Sequence, residues 1–278
     1  MILLTWAQVE RIFKGQEERP DLFSGGSAVT IGSFDGPHTG HDVLFSKVID
    51  ASKSCGYVPG VITFTHALGG YKRPEAYEGD LSTLEQRLEA FREKGMSFAV
   101  VIDFSAEFGR IKGQDFLFIL KKSCCLKFLA EGRDFRCGYR GAFGMKEISD
   151  YSVCNGITAQ FPEPVLYKGK RVSSSLIRSC ILRGDFCSVA EMLGHNYALD
   201  CSKTVWNCEG SQFTAERHSF LQALPADGEY DVVAILPENR MQMRLTAEPH
   251  FLRLEVPHGD TLPCIRAVEF ICNDLGES

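Results

Sequence analysis

Apolar and polar positions along the first two-thirds of the chain alternate between short apolar runs and stretches of helical period. Ala28–Ile31 reads as a buried strand, Val58–Phe64 as a second strand, and Phe98–Asp103 as a continuous apolar run covered on both faces. Leu126–Ala130 and Ile157–Phe161 follow as shorter strands. Between them, Thr39–Ser54 carries Leu44, Val48 and Ala51 on one face and stops near Gly56. Ser82-Thr83-Leu84-Glu85 has the form of a capping box, opening a helix with Leu84, Leu88 and Phe91 on one stripe that ends before Gly95. Asp115–Lys122 is a further helix. Strands and helices alternating at this spacing predict a parallel sheet with right-handed crossovers. Ligands of such sheets bind at the carboxyl ends of the strands, where the loops at 32–37, 65–80, 104–112 and 131–145 emerge.

The flanks have a different pattern. Residues 1–27 hold a short amphipathic opening (Trp6, Val9, Ile12, Phe13) and a polar approach to the first strand. After Pro162 and Pro164 a helix is expected from Leu176 to Arg183, and a second capping box, Ser188-Val189-Ala190-Glu191, starts another that ends at Leu193-Gly194. Beyond Ala198 the segments Tyr230–Leu236, Gln242–Thr246, Phe251–Val256 and Ala267–Ile271 read as strands between turn residues, with a helical pattern only over Ala215–Leu221. The expectation is an α/β domain over residues 1–198 and a small, β-barrel-like domain over 199–278.

Composition narrows the partners. The chain has 278 residues, 44% of them hydrophobic and 24% charged, with a formal net charge of −6, so nucleic acid and acidic membranes are poor candidates. No apolar run reaches membrane-spanning length and the opening is too short for a signal peptide, which makes cytoplasm the expected location. Eleven cysteines form no C-x-x-C pair or zinc-type cluster and are read as reduced, mostly buried apolar residues.

Candidate chemistry concentrates at two places. Gly32, Ser33, Phe34, Asp35, Gly36 and Pro37 form a glycine-punctuated loop between the first strand and a helix start, which makes a seat for phosphate. His38 and His41, three residues apart, share one face of the first helical turn, and Gly40 between them has no Cβ to hold a phosphate away. Ser173, Ser174 and Ser175 stand at a later helix start, with Arg178 one turn beyond Ser175; hydroxyls, backbone N–H groups and a fixed guanidinium suit a second anion. Plain N-capping by the serines is the structural alternative. The stretch Glu131-Gly132-Arg133-Asp134-Phe135-Arg136-Cys137-Gly138 on its own reads as a glycine-rich surface loop.

Together, in order and spacing, the motifs resemble prokaryotic FAD synthetases, the FMN adenylyltransferases of the bifunctional riboflavin kinase/FAD synthetase family. Gly32-x-Phe34-Asp35-Gly36-x-His38-x-Gly40-His41 resembles the family's specific form of the nucleotidylyltransferase H-x-G-H signature. Gly132, Asp134, Phe135 and Gly138 match G-x-D-F-x-x-G, and Ser174, Ser175, Ile177 and Arg178 match S-S-x-x-I-R. The resemblance covers roughly residues 28–199 and implies a Rossmann-like nucleotidylyltransferase domain that converts ATP and FMN to FAD and pyrophosphate. It implies catalytic roles for His38, His41, Ser174, Ser175 and Arg178, with Gly32, Ser33, Phe34, Asp35, Gly36 and Gly40 around the ATP phosphates. Gly132, Asp134 and Phe135 would hold nucleotide or flavin, and Mg²⁺ would arrive with ATP and take no protein ligand.

The chain also departs from the family. Phe64-Thr65-His66-Ala67-Leu68 replaces the usual Pro-His-Pro, and the Pro-Thr-Ala-Asn of the kinase barrel is missing, its nearest counterpart being Phe213-Thr214-Ala215-Glu216. Pro225-x-x-Gly228-x-Tyr230 and Leu254-Glu255-Val256 resemble barrel remnants, with Glu255 at the place of the kinase base, so riboflavin kinase activity is expected to be absent. Two rivals stand beside this reading: transfer to another phosphorylated acceptor, such as phosphopantetheine or glycerol phosphate, and a flavin-binding protein without catalysis.

Overall fold

In the computed structural model, which describes residues 1–66, 77–210, 212–256 and 264–272, the apolar runs line up side by side. The elements in order are β1 (Ile2–Thr5), α1 (Trp6–Phe13), β2 (Ser27–Ile31), α2 (Thr39–Cys55), β3 (Val58–Phe64), α3 (Leu84–Glu93), β4 (Phe98–Ile102), α4 (Gly113–Ser123), β5 (Leu126–Ala130), α5 (Met145–Asn155) and β6 (Thr158–Gln160). The strands form a parallel sheet in the order β1-β4-β3-β2-β5-β6. From β2 the chain builds outward through β3 to β4, then crosses back to place β5 on the other side of β2. The order therefore reverses between β2 and β5, and their carboxyl ends flank the crevice where such sheets bind ligands.

Both faces of the sheet are covered, as the unbroken apolar runs require. Val29, Ile31, Ile62, Phe64, Phe98, Val100 and Leu129 point into one core with Phe116 and Leu120 of α4. Ala28, Val61, Ala99, Phe128 and Ala130 point into the other, with Leu44, Phe45 and Val48 of α2 and Phe91 of α3. A hairpin, β7 (Leu166–Tyr167) with β8 (Lys170–Arg171), follows β6.

Next come α6 (Ser174–Ile181), α7 (Phe186–Leu193), β9 (Ala198–Asp200), β10 (Asn207–Glu209), β11 (Gln212–Glu216), β12 (Gly228–Ile235), β13 (Arg240–Ala247), β14 (Phe251–Glu255) and β15 (Ala267–Phe270). β9 to β15 make an antiparallel, curled half-barrel in the order β10-β11-β14-β13-β12-β15-β9. The chain packs as two compact units. One comprises Met1–Phe34, Gly40–Lys72 and Arg87–Arg171, and the other Asp35–Thr39, Arg73–Gln86 and Val172–Ser278. The division expected at 198/199 falls inside the second unit.

Several local expectations shift. The amphipathic opening splits into β1, which pairs with β4, and α1, capped by Thr5 and Gln8. The capping boxes move: Thr83 and Gln86 cap α3 in place of Ser82 and Glu85, and Asp185 caps α7 in place of Ser188. α6 begins at Ser174, because Ser173 supplies the cap, its hydroxyl accepting from the Leu176 amide at 3.3 Å. Ala215–Leu221 is the end of β11 and a short 3₁₀ turn, not a helix, since Phe213 and Ala215 alternate into the half-barrel core. α5 was not anticipated. Residues 67–76 of the expected loop, including Ala67 and Leu68, lie outside the described residues.

The cysteines require two corrections: they were expected mostly buried, yet only Cys124, Cys180 and Cys201 are, and one pair is bonded. Cys187 of α7 and Cys272, just after β15, form a disulfide that closes a sequence separation of 85 residues, whereas all eleven were expected reduced. Neighbouring aromatic packing of Phe186 on Phe270, with ring centroids 4.0 Å apart, brings the two elements together. A bridge over so long a loop stabilises by up to about 4 kcal/mol, chiefly by constraining the unfolded chain. Urea unfolding with and without dithiothreitol should show a loss of that order in the parent and no reductant effect in Cys187→Ser.

Candidate functional site

In the first unit the glycine-punctuated loop leaves β2 with its backbone already held. The Gly32 amide donates to the Ile62 carbonyl at 3.0 Å. Phe34 has φ +47°, a left-handed conformation that is costly for a bulky side chain and that clusters at functional sites. Its ring turns inward onto Phe45, Phe91 and the edge of His41, with centroids 5.1, 5.7 and 5.1 Å away respectively. A Cβ at residue 32 would sit 3.1 Å from that ring, a tight contact. Phe34 therefore contributes its backbone and a packing anchor for His41 to any phosphate seat.

Arg87 of α3 secures the next atoms. It is 1% exposed, and its guanidinium donates to the carbonyls of Ser33, Phe64 and Thr65 at 2.7, 2.9 and 2.8 Å. One cation thus ties the carboxyl end of β3 to the loop after β2.

In the second unit Asp35 is the hub. Its buried carboxylate accepts from the amides of Leu81 and Ser82 at 2.6 and 3.3 Å and from Arg178 Nη2 at 2.5 Å. Arg178 Nε donates to the Gly79 carbonyl at 2.7 Å, and the Tyr77 ring lies 5.1 Å from the guanidinium. Burial, together with the neighbouring Asp35 and Asp80 carboxylates, pushes the Tyr77 phenol upward, so it stays protonated and donates to Asp80. Ser174 Oγ donates to the Asp35 carbonyl at 2.8 Å, while Ser175 is exposed on the first turn of α6. Ser82 Oγ, freed from capping, accepts from the Gly36 amide at 2.9 Å. Gly36 has φ +59°, and a Cβ there would stand 2.7 Å from that of Leu81. His38, three residues beyond Asp35, is buried.

Asp35, Ser174 and Arg178 are thus brought together, with a carboxylate fixing the cation that the sequence assigned to phosphate. Gly40 is the second residue of α2, and its neighbour His41 is half-buried.

The glycine-rich loop after β5 divides its roles. Gly132 and Asp134 sit beside Arg171, which pairs with Asp134 and holds its carboxyl below the usual range. Phe135 instead lines a cavity of about 620 Å³ in the first unit, walled by Phe64, Phe104, Phe108 and Phe116. Gly32 and Ser33 form part of the same lining, and the exposed Arg136 and Arg140 contribute its cationic side. Glu131, 1% exposed, accepts from the Ile31 amide at 2.6 Å; burial raises its carboxyl well above the usual range. Burial and Glu131 also push the Cys137 thiol up to about 12.

A family model described as FAD synthetase matches residues 22–176. The chain belongs to the FAD synthetase family. Among relatives, the bifunctional riboflavin kinase/FMN adenylyltransferase of Escherichia coli (strain K12) is 26% identical over 177 residues, covering 63% of this chain and 56% of that protein. That of Buchnera aphidicola is 27% identical over 181 residues, covering 62% of this chain and 56% of the relative. The FAD synthetase of Listeria monocytogenes is 23% identical over 182 residues, or 63% of this chain and 72% of that protein. The matched stretch thus spans little more than half the length of the bifunctional relatives. A solved structure titled a macrolide-efflux protein from Streptococcus pneumoniae has the same fold, with a TM-score of 0.78 and 19% identity over 97% of both chains.

Arg87, Ser82 and Glu131 were not among the candidate site residues that the sequence offered. Arg87 offered one signal, a charge on the same helical stripe as Leu84, Leu88 and Phe91. Among the described residues no group of three or more His, Cys, Asp or Glu is placed to hold a metal ion, and no helix is long and apolar enough to cross a membrane. Because each buried acceptor left without its donor costs about 1–3 kcal/mol, Arg87→Met should lower unfolding free energy by at least about 2 kcal/mol, measured by denaturant titration.

Proposed function

We propose that this protein transfers AMP from ATP to FMN, giving FAD and pyrophosphate. The observation that carries the reading is the aromatic cavity beside the β2–β5 crevice. Its flat phenyl walls suit a tricyclic ring, and Gly32 and Ser33 join its lining to the loop proposed to receive phosphate. Family membership supports the same chemistry. A phosphopantetheine or glycerol phosphate acceptor has no ring to lay against such a wall.

The nucleophile is an FMN phosphate oxygen, already ionised, so no general base is required. It attacks the α-phosphorus of ATP as the bond to the β-phosphate oxygen breaks and pyrophosphate departs. Positioning and charge stabilisation then carry the catalysis. His38, His41 and the N-terminus of α2 take the ATP phosphates, with Gly32, Ser33, Phe34, Asp35, Gly36 and Gly40 shaping their seat. Ser174, Ser175 and Arg178 serve as a second clamp. Mg²⁺ arriving with ATP offsets charge on the departing phosphates. Asp35 fixes the Arg178 fork in advance, so little reorganisation remains when phosphate arrives. Gly132 and Asp134 shape the loop from which Phe135 reaches the flavin.

Riboflavin kinase activity is absent in this reading. Phe213-Thr214-Ala215-Glu216, the nearest stretch to the kinase tetrapeptide, is regular strand β11, and Glu255 lines a separate cavity of about 610 Å³ with Asp231 and Arg244. Supplied with MgATP, FMN should give FAD and riboflavin should give neither FMN nor FAD; FAD formed from riboflavin alone would overturn the kinase half. His41→Ala should lower kcat by about 10²–10³, with its melting midpoint retained. Arg178→Lys is the companion variant, because Arg178→Ala strands the Asp35 carboxylate at a cost of about 3–5 kcal/mol. Steady-state FAD formation within threefold of the parent in either variant would remove that residue from its role.

A further inference from the structure

The backbone pairing of β2 with β5 runs from Ser27↔Leu126 to Val29↔Leu129 and goes no further. Two residues on, the Ile31 amide faces the crevice between the diverging strands. A side chain closes that gap: Glu131, one residue past β5, accepts the Ile31 amide at 2.6 Å, while its own amide donates to the Gln160 carbonyl of β6 at 2.9 Å. Glu131 therefore ties together β2, β5 and β6 at the reversal of strand order. Ile31 and Cys137, on either side of this bond, both line the aromatic cavity, and Ile31 directly precedes Gly32.

We propose that Glu131 is a positioning residue for nucleotidyl transfer, its carboxyl fixing the root of the phosphate loop through the Ile31 amide. The proposal rests on the reading that phosphates and flavin meet at this crevice. Among the described residues no cation is placed against the carboxyl, and burial favours its protonated form. The titratable group facing it is Cys137, itself held as a thiol. β2 presents the Ile31 amide to it, while the Gln160 carbonyl of β6 holds the Glu131 backbone amide, and neither titrates.

A neutral carboxyl beside a seat for ATP and FMN adds no repulsion, whereas an ionised one sets an anion against the incoming phosphates. Activity is accordingly lost as pH rises through the raised Glu131 value. The sign for stability is the same. The stabilisation by Glu131 is fully present below the pKa of an unfolded glutamate, about 4.3, and is lost as pH rises towards the folded value.

The test compares the parent with Glu131→Gln, which keeps the acceptor oxygen but cannot ionise, and Glu131→Val, which removes it. Glu131→Gln should retain kcat within threefold at neutral pH and lack the alkaline decline expected of the parent, with a melting midpoint that gains on the parent as pH rises. Glu131→Val should lower kcat at least tenfold, with the KM for FMN changed less than threefold and cooperative melting retained. Superimposable pH profiles of parent and Glu131→Gln, or full activity in Glu131→Val, would overturn the proposal.

A difference infrared band of a protonated carboxyl, present in the parent and missing in Glu131→Gln, reports the buried acid without turnover. Its absence overturns the proposal even if FAD is formed. If the band is present but the parent forms no FAD from FMN, the functional reading fails, and with it the role of Glu131 in transfer.

Discussion

A buried carboxylate meeting a guanidinium sets the local geometry of the second unit around residue 35. Asp35 and Arg178 are largely removed from water, so neither is tolerable without the other. Once joined, they leave the segment around residue 35, the Gly79–Ser82 stretch and the first turn of α6 little freedom to move independently. Each contributes a hydrogen bond to the same small knot: the Leu81 and Ser82 amides, the Gly79 carbonyl and the Ser174 hydroxyl. The phosphate-binding side chains proposed for this region are held by a network whose members are individually ordinary.

The first unit solves a related problem with different chemistry. Where parallel strands end at a reversal of order, their last amides and carbonyls run out of backbone partners, and buried groups of that kind must be satisfied. Arg87 supplies donors to the carbonyls after β2 and β3, and Glu131 supplies an acceptor for the amide at the end of β2. A rigid crevice with an aromatic wall results. In the proposed transfer, which needs alignment more than acid–base chemistry, that rigidity is what the fold contributes.

The layered sheet and its crevice were legible because β2 to β5 announce themselves as apolar runs and α2 and α3 as periodic stretches. The loop motifs were legible because glycine and histidine spacing survives without any knowledge of contacts. Features that depend on distant partners were not. Ser82 looked like a helix cap and instead serves Gly36, while the adjacent Thr83 takes the cap. α5 buries little more than Ile148 and Ser152, too thin a stripe to read. β1 is a four-residue edge strand with two exposed apolar residues, and only its pairing with β4 defines it. The Cys187–Cys272 bridge joins elements whose proximity no local pattern encodes.

Gly36 and Leu81 interlock so closely that a side chain at the first has no room beside the second. The Leu81 methylene occupies the space a Cβ at left-handed Gly36 would need, and the next residue, Ser82, accepts the Gly36 amide. A chimera that takes its glycine loop from one relative and its α3 entrance from another separates two halves cut to fit each other. A junction that leaves both halves on the same side keeps this fit, and one that passes between them joins halves not cut for each other.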